Sequence, residues 1–148
     1  MITFQKCIGL LTTCLVVLLY SCSASSRNEA GVQNSMKYYD HLIEKLDADS
    51  IALLYTPQGR LGTLAVGRDS IRKFLFSFKN VKVLSQKSTT TSIKLYSDSA
   101  IQKGNYIQTD ILSEKDTIVV KGEYTAHWLW IKKEGWRINF METKPIKN

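Results

Sequence analysis

Beyond position 22 the sequence has no cysteine: its three, Cys7, Cys14 and Cys22, all lie in the first 22 residues. Such a chain body forms no internal disulfide and no thiolate metal site, even in an oxidising compartment. Histidine is nearly as scarce, with only His41 and His127; neither sits among clustered carboxylates, which argues against zinc. There is no GxSxG elbow and no phosphate-cradling loop, because GRLG and GRD lack the glycine spacing and the lysine such a loop needs. No cofactor is implied. Positive charge is in excess, 20 Lys+Arg against 13 Asp+Glu. The lysines are scattered from Lys37 to Lys147 rather than clustered among exposed aromatics, so nucleic acid is not an expected partner. The excess reads as solvated surface, with an anionic lipid surface or an acidic ligand as further partners that it would suit. At 148 residues the chain has room for one domain with a sizeable core, not two.

What the sequence does have begins with an apolar run, IGLLTTCLVVLLY from Ile8 to Tyr20, preceded by Lys6. Thirteen residues are too few to span a bilayer as a helix but suit the apolar region of a secretory signal. The run ends in LYSC, Leu19 to Cys22, which resembles the bacterial lipobox. The resemblance implies a signal peptide over residues 1–21 and lipidation of Cys22. It also implies a periplasmic domain held to the membrane by that lipid, with the outer membrane as the default because Ser23 is no strong retention signal. The alternative is an ordinary cleaved signal or a short anchor, with Cys22 a plain cysteine. SASSRNEAGVQN is small and polar, so residues 22–34 read as a flexible tether and residues 35–148 as the domain.

From Met36 to Leu46 the apolar residues Met36, Tyr39, Ile43 and Leu46 share one helical face, with Lys37, Asp40, Glu44 and Lys45 largely elsewhere. DADS then caps a second short helix, IALLY. Pro57, Gly59 and Gly62 mark a turn with a short strand, RLGTLAV. Gly67 introduces a third helix, RDSIRKFLFSF, with Ile71, Phe74 and Phe78 on one face. After Val81 the pattern becomes β-branched and alternating, giving four long strands joined by hairpin connections at 113–116 and 132–135. Helices first and antiparallel strands after predict an α+β fold, its helices packed on one face of a curved sheet.

Three stretches resemble the nuclear transport factor 2-like superfamily of SnoaL-like and ketosteroid isomerase-like domains. They are GRDSIRKF (Gly67 to Phe74), the pair AIQKGNY (Ala100 to Tyr106) and GEYTAHW (Gly122 to Trp128), and EGWRI (Glu134 to Ile138). The resemblance implies a cone in which the antiparallel sheet curls around about three helices on its concave face and leaves a pocket. Related domains place an acid about five residues after the tryptophan of the last strand; here Met141 stands at that point.

All three tryptophans fall between Gly122 and Phe140. Strand alternation puts Tyr124, Ala126, Trp128 and Trp130 on one side, and His127 with Lys121, Glu123 and Thr125 on the other. The aromatic side reads as core or pocket lining, and His127 as facing water or a second copy of the chain, with Leu129 and Ile131 beside it. A four-residue loop at 113–116 sets Tyr106 opposite Glu123, whereas a five-residue loop or a bulge sets it opposite Tyr124. Its place in the resemblance favours the latter. The expected ligand site is thus aromatic: Tyr39, Tyr55, Tyr106, Tyr124 and Trp128, with Phe74 beside them, suited to a small amphipathic ligand. An isomerase, cyclase or dehydratase would need Asp110, Glu142 or His41 in the pocket with a tyrosine donor. No residue is assigned a catalytic role, and a homodimer through the sheet is the third reading.

Overall fold

The computed structural model describes residues 26–113 and 116–146, so the apolar leader, Cys22 and the tip of the 113–116 connection lie outside the described residues. The first helix, α1, runs from Glu29 to Lys45 and so begins inside the stretch expected to be tether. Asn28 sets this start: its side chain accepts from the Gly31 amide at 2.9 Å, and Glu29 places negative charge in the first turn. Gly31 lies so close to the backbone of Ser26 that a Cβ there would meet the Ser26 carbonyl oxygen at 1.8 Å. That carbonyl accepts from the Trp136 indole at 3.1 Å, and Val32 is fully buried. The small polar composition therefore hid a packed helical turn.

Asp47 caps α2 (Ala48–Leu54) by accepting from the Ser50 amide at 3.0 Å. The chain goes directly into β1 (Tyr55–Leu61), turns, and forms the two-residue β2 (Ala65–Val66). Gly67, at a φ of 80°, opens α3 (Arg68–Phe76). Its buried pair is Ile71 and Leu75; Phe74 is half-buried and Phe78, past the helix end, is exposed. The long strands β3 (Lys82–Leu95), β4 (Ser99–Ser113), β5 (Asp116–Ile131) and β6 (Gly135–Pro145) follow.

The helices pack on a curved, unclosed six-stranded sheet in the order β2-β1-β6-β5-β4-β3, an α+β architecture. The sheet is mixed rather than wholly antiparallel, because β1 pairs parallel to β6. The two strands are far apart in sequence, so the long connection a parallel pair requires is the rest of the fold itself.

The outer edge of β3 is covered by α1. The Gln86 amide donates to Glu44 Oε1 at 3.1 Å and the Ser88 amide to Asp40 Oδ2 at 2.8 Å. Two carboxylates one helical turn apart thus satisfy edge amides that would otherwise be free to template a foreign strand. Asp40 was expected off the packed face; it is buried there because it serves the strand edge.

Two register features differ from expectation. Tyr106 pairs with Gly122, and Tyr124 with Gly104, so neither proposed pairing of Tyr106 holds, although both tyrosines do share the inner face. The extra residue falls on β4, at Leu112 between Ile111 and Ser113, rather than on β5. In β6, His127 pairs with Phe140 but Trp128 with Ile138, which leaves Asn139 as a bulge. The bulge reverses the alternation beyond it, so Met141 turns inward and Glu142 outward.

Candidate functional site

The inner face of the sheet carries Tyr106 and Tyr124 on adjacent strands, each ring lying over the glycine of its neighbour. A Cβ on Gly122 would meet the Tyr106 ring at 2.6 Å, and one on Gly104 would meet the Tyr124 ring at 2.7 Å. These reciprocal pairs let both rings lie flat along the sheet, filling what each glycine leaves bare. Flat rings leave room above them.

That room is a cavity of about 430 Å³, within the range of small-molecule sites. Helix α1 contributes Met36, Tyr39 and Ile43; α3 and the residues after it contribute Phe74, Leu75 and Phe78. The sheet contributes Gln86, Ser88, Tyr106, Gln108, Val120, Tyr124 and Met141. The exposed Leu64 and Phe78 line it where it meets solvent, and Phe78 packs edge-on against Phe74 at 5.2 Å. A second lobe of about 290 Å³ shares Ile43, Leu75, Phe78 and Gln108 with the first and adds Asp110, Leu112 and Ile118.

Of the aromatic residues expected to form the site, Tyr39, Tyr106 and Tyr124 line the cavity. Tyr55 and Trp128 do not: both are fully buried in the core. Trp128 donates its indole N–H to Gln102 Oε1 at 3.0 Å, so its polar edge is already committed. Tyr55 sits behind Tyr39, and its buried hydroxyl has the Tyr39 hydroxyl as its polar neighbour without a well-formed hydrogen bond.

The cavity tyrosines are held neutral. Burial pushes the Tyr39 hydroxyl up to about 12, with a neighbouring Tyr55 hydroxyl acting against it. Burial likewise raises Tyr106, opposed by its hydrogen bond to Thr143, and Tyr124, opposed by Thr90 at 3.2 Å. Burial also raises Asp40, against the pull of three donors: the Ser88 amide, the Ser88 hydroxyl at 2.7 Å and Gln86 Nε2 at 3.2 Å.

Of the acids and histidine weighed for catalysis, Asp110 alone reaches the cavity, on the same face of β4 as Tyr106. Glu142 points to the outer face beside Lys144, and His41 is exposed. His127 is exposed on the outer face against Phe140. The sequence pattern did not single out Gln86 and Gln108, which line the cavity wall with Ser88 and Thr143. For Gln108 the signal was present, since it lies between Tyr106 and Asp110 at an inward position. Among the described residues no cluster of His, Cys, Asp and Glu could hold a metal ion.

No family model matches the chain, and no curated protein matches it. Solved structures do. A protein of unknown function from Mycobacterium tuberculosis superposes with a TM-score of 0.70 at 17% identity, covering 79% of this chain and 75% of that one. A ketosteroid isomerase-like protein from Erwinia carotovora atroseptica gives 0.69 at 16% identity, covering 79% of this chain and 95% of that one. A nuclear transport factor 2-like protein with a cystatin-like fold from Novosphingobium aromaticivorans gives 0.67 at 12% identity, covering 79% and 80%. At these identities the likeness speaks for architecture, and the chain has the nuclear transport factor 2-like fold.

Proposed function

We propose that this chain is a lipid-anchored periplasmic domain, tethered through Cys22, that binds a small amphipathic ligand in its aromatic cavity and is not an enzyme. One observation carries the reading. The cavity of about 430 Å³ is apolar over most of its wall, is lined by three neutral tyrosines, and has Met141 at the inward position of its last strand. Such a surface offers apolar area with polar tips and supplies no acid–base pair.

The test is titration of the purified protein with N-phenyl-1-naphthylamine, a neutral amphipathic dye. Saturation near one dye per chain, lost in Val120→Trp while the far-ultraviolet circular dichroism is kept, supports the cavity. Equal binding by Val120→Trp places the dye elsewhere and refutes it. Transfer of radiolabelled palmitate to the full chain, abolished by Cys22→Ala, tests the anchor.

An enzymatic reading has one observation in its favour, Asp110 in the second lobe with Gln108 beside it. An isomerase or dehydratase acting through that carboxylate would lose turnover in Asp110→Asn while keeping substrate affinity. Pairing of two copies through the outer face at His127, Leu129 and Ile131 is read by sedimentation over a dilution series, and monomer throughout refutes it.

A further inference from the structure

We propose that the cavity selects a ligand whose head group donates hydrogen bonds and carries positive charge, a protonated amine on an apolar body, over an anionic one. This rests on the binding reading above and adds the chemistry of the ligand. Among the described residues no lysine, arginine or histidine lines either lobe. The polar part of the wall is Gln86 and Ser88 on β3, Gln108 and Asp110 on β4, and Thr143 on β6. Gln86 stands directly opposite Gln108, and Asp110 follows two residues along the same strand face.

The orientation of both amides is set by carboxylates. Gln108 Nε2 donates to both oxygens of Asp110, each at 2.9 Å. Gln86 Nε2 donates to Asp40 Oδ1 at 3.2 Å. An amide nitrogen facing a carboxylate fixes its oxygen on the other side. For Gln86 that oxygen is buried and has no hydrogen-bond partner, on a residue only 9% exposed that lines the cavity. Asp110 is 6% exposed, and among the described residues no cation forms an ion pair with it. Asp110 is thus a buried carboxylate at the wall of the second lobe whose two observed donors both come from one neutral amide. A buried carboxylate without a paired cation gains from a cationic donor. Charge-assisted bonds to a carboxylate are the stronger kind, and tyrosine faces add attraction for an ammonium group.

A competing feature lies nearby. Lys45, Lys79 and Lys82 line a separate groove that shares Leu46, Leu75, Val81 and Val83 with the second lobe. The formal charge of the whole chain, +7, also favours anions without specificity. An amine preference would run against both and has to originate inside the cavity.

The experiment is displacement of N-phenyl-1-naphthylamine at pH 7 by octylamine, 1-octanol and octanoate, which share one tail length. Octylamine is expected to displace the dye at roughly tenfold lower concentration than octanoate, one hydrogen-bonded charge contact's worth. It should also outcompete 1-octanol, and Asp110→Asn should bring the amine and the alcohol level. Octanoate matching or exceeding octylamine overturns the inference and assigns the head group to the rim lysines. An amine advantage unchanged in Asp110→Asn overturns it as well. The wild-type ratio of amine to carboxylate decides the matter even should that variant not fold. Failure of the dye to bind at all is a different result, and it removes the binding reading itself.

Discussion

Replacing Gly122 by alanine tests the geometry on which the cavity depends. The added methyl would lie 2.6 Å from the Tyr106 ring and 2.6 Å from the Lys144 carbonyl oxygen, both inside van der Waals contact. The ring has to leave the sheet surface and enter the space it now borders, and β6 has to shift near its end. Overpacking of this kind costs about 1 to 3 kcal/mol. For a domain of this size that lowers Tm by about 4 to 15 °C, read by differential scanning calorimetry. The displaced ring also occupies part of the cavity, so dye affinity should fall alongside stability. Shortening the ring in Gly122→Ala with Tyr106→Leu leaves only the backbone clash, so the double variant should be less destabilised than the sum of the singles. Additivity within about 0.5 kcal/mol would mean that ring and methyl never compete for one space.

Tyr55→Phe removes a buried hydroxyl whose polar neighbour, the Tyr39 hydroxyl, makes no well-formed hydrogen bond with it, so stability should stay level or rise by up to about 1 kcal/mol in urea melts; a loss of about 1 kcal/mol or more would show that the hydroxyl is bonded. Trp128→Phe deletes the donor to buried Gln102 and leaves a void. It should cost about 2 to 4 kcal/mol with dye affinity per folded chain unchanged, because Trp128 is core; an affinity loss at full folding would return it to the site. Asp40 holds its proton more tightly in the native state than its ordinary value of 3.8, chiefly through burial. Its contribution therefore favours folding below that value and is lost as pH rises through the elevated native value. The stability gap between wild type and Asp40→Asn should narrow with rising pH across that window, and a widening gap would contradict it.

The long strands were legible because β-branched alternation persists over many residues, and the observed strands match those stretches closely. The parallel pairing of β1 with β6 was not, since the sequence around Pro57 and Gly59 carries no strand pattern and the pairing is set by the sheet edge that β6 offers. The first turn of α1 was hidden by its composition: Gly31 is there for close approach to Ser26, a tertiary reason no local propensity carries. The single-residue bulge at Asn139 reversed side-chain parity in β6, so Glu142, which plain alternation from Trp136 puts inside, is outside, and the one at Leu112 shifted the pairing of Tyr106. Tyr39, Tyr106 and Tyr124 were recognisable from face and period. Tyr55 and Trp128 looked identical to them in type, and only their depth in the core separates wall from filling. The role of Asp40 needed the edge of β3 beside it before it could be seen.

Methyl chemical shifts report whether the cavity takes a ligand. In the spectrum of isotope-labelled protein titrated with octylamine, Met36, Ile43, Val120 and Met141 should move together to saturation, because they surround the cavity. The exposed Leu53 and Val66, away from it, should stay fixed. Shifts confined to exposed methyls, or none at millimolar amine with the fold intact, would mean that the tyrosine-lined space is not a binding site.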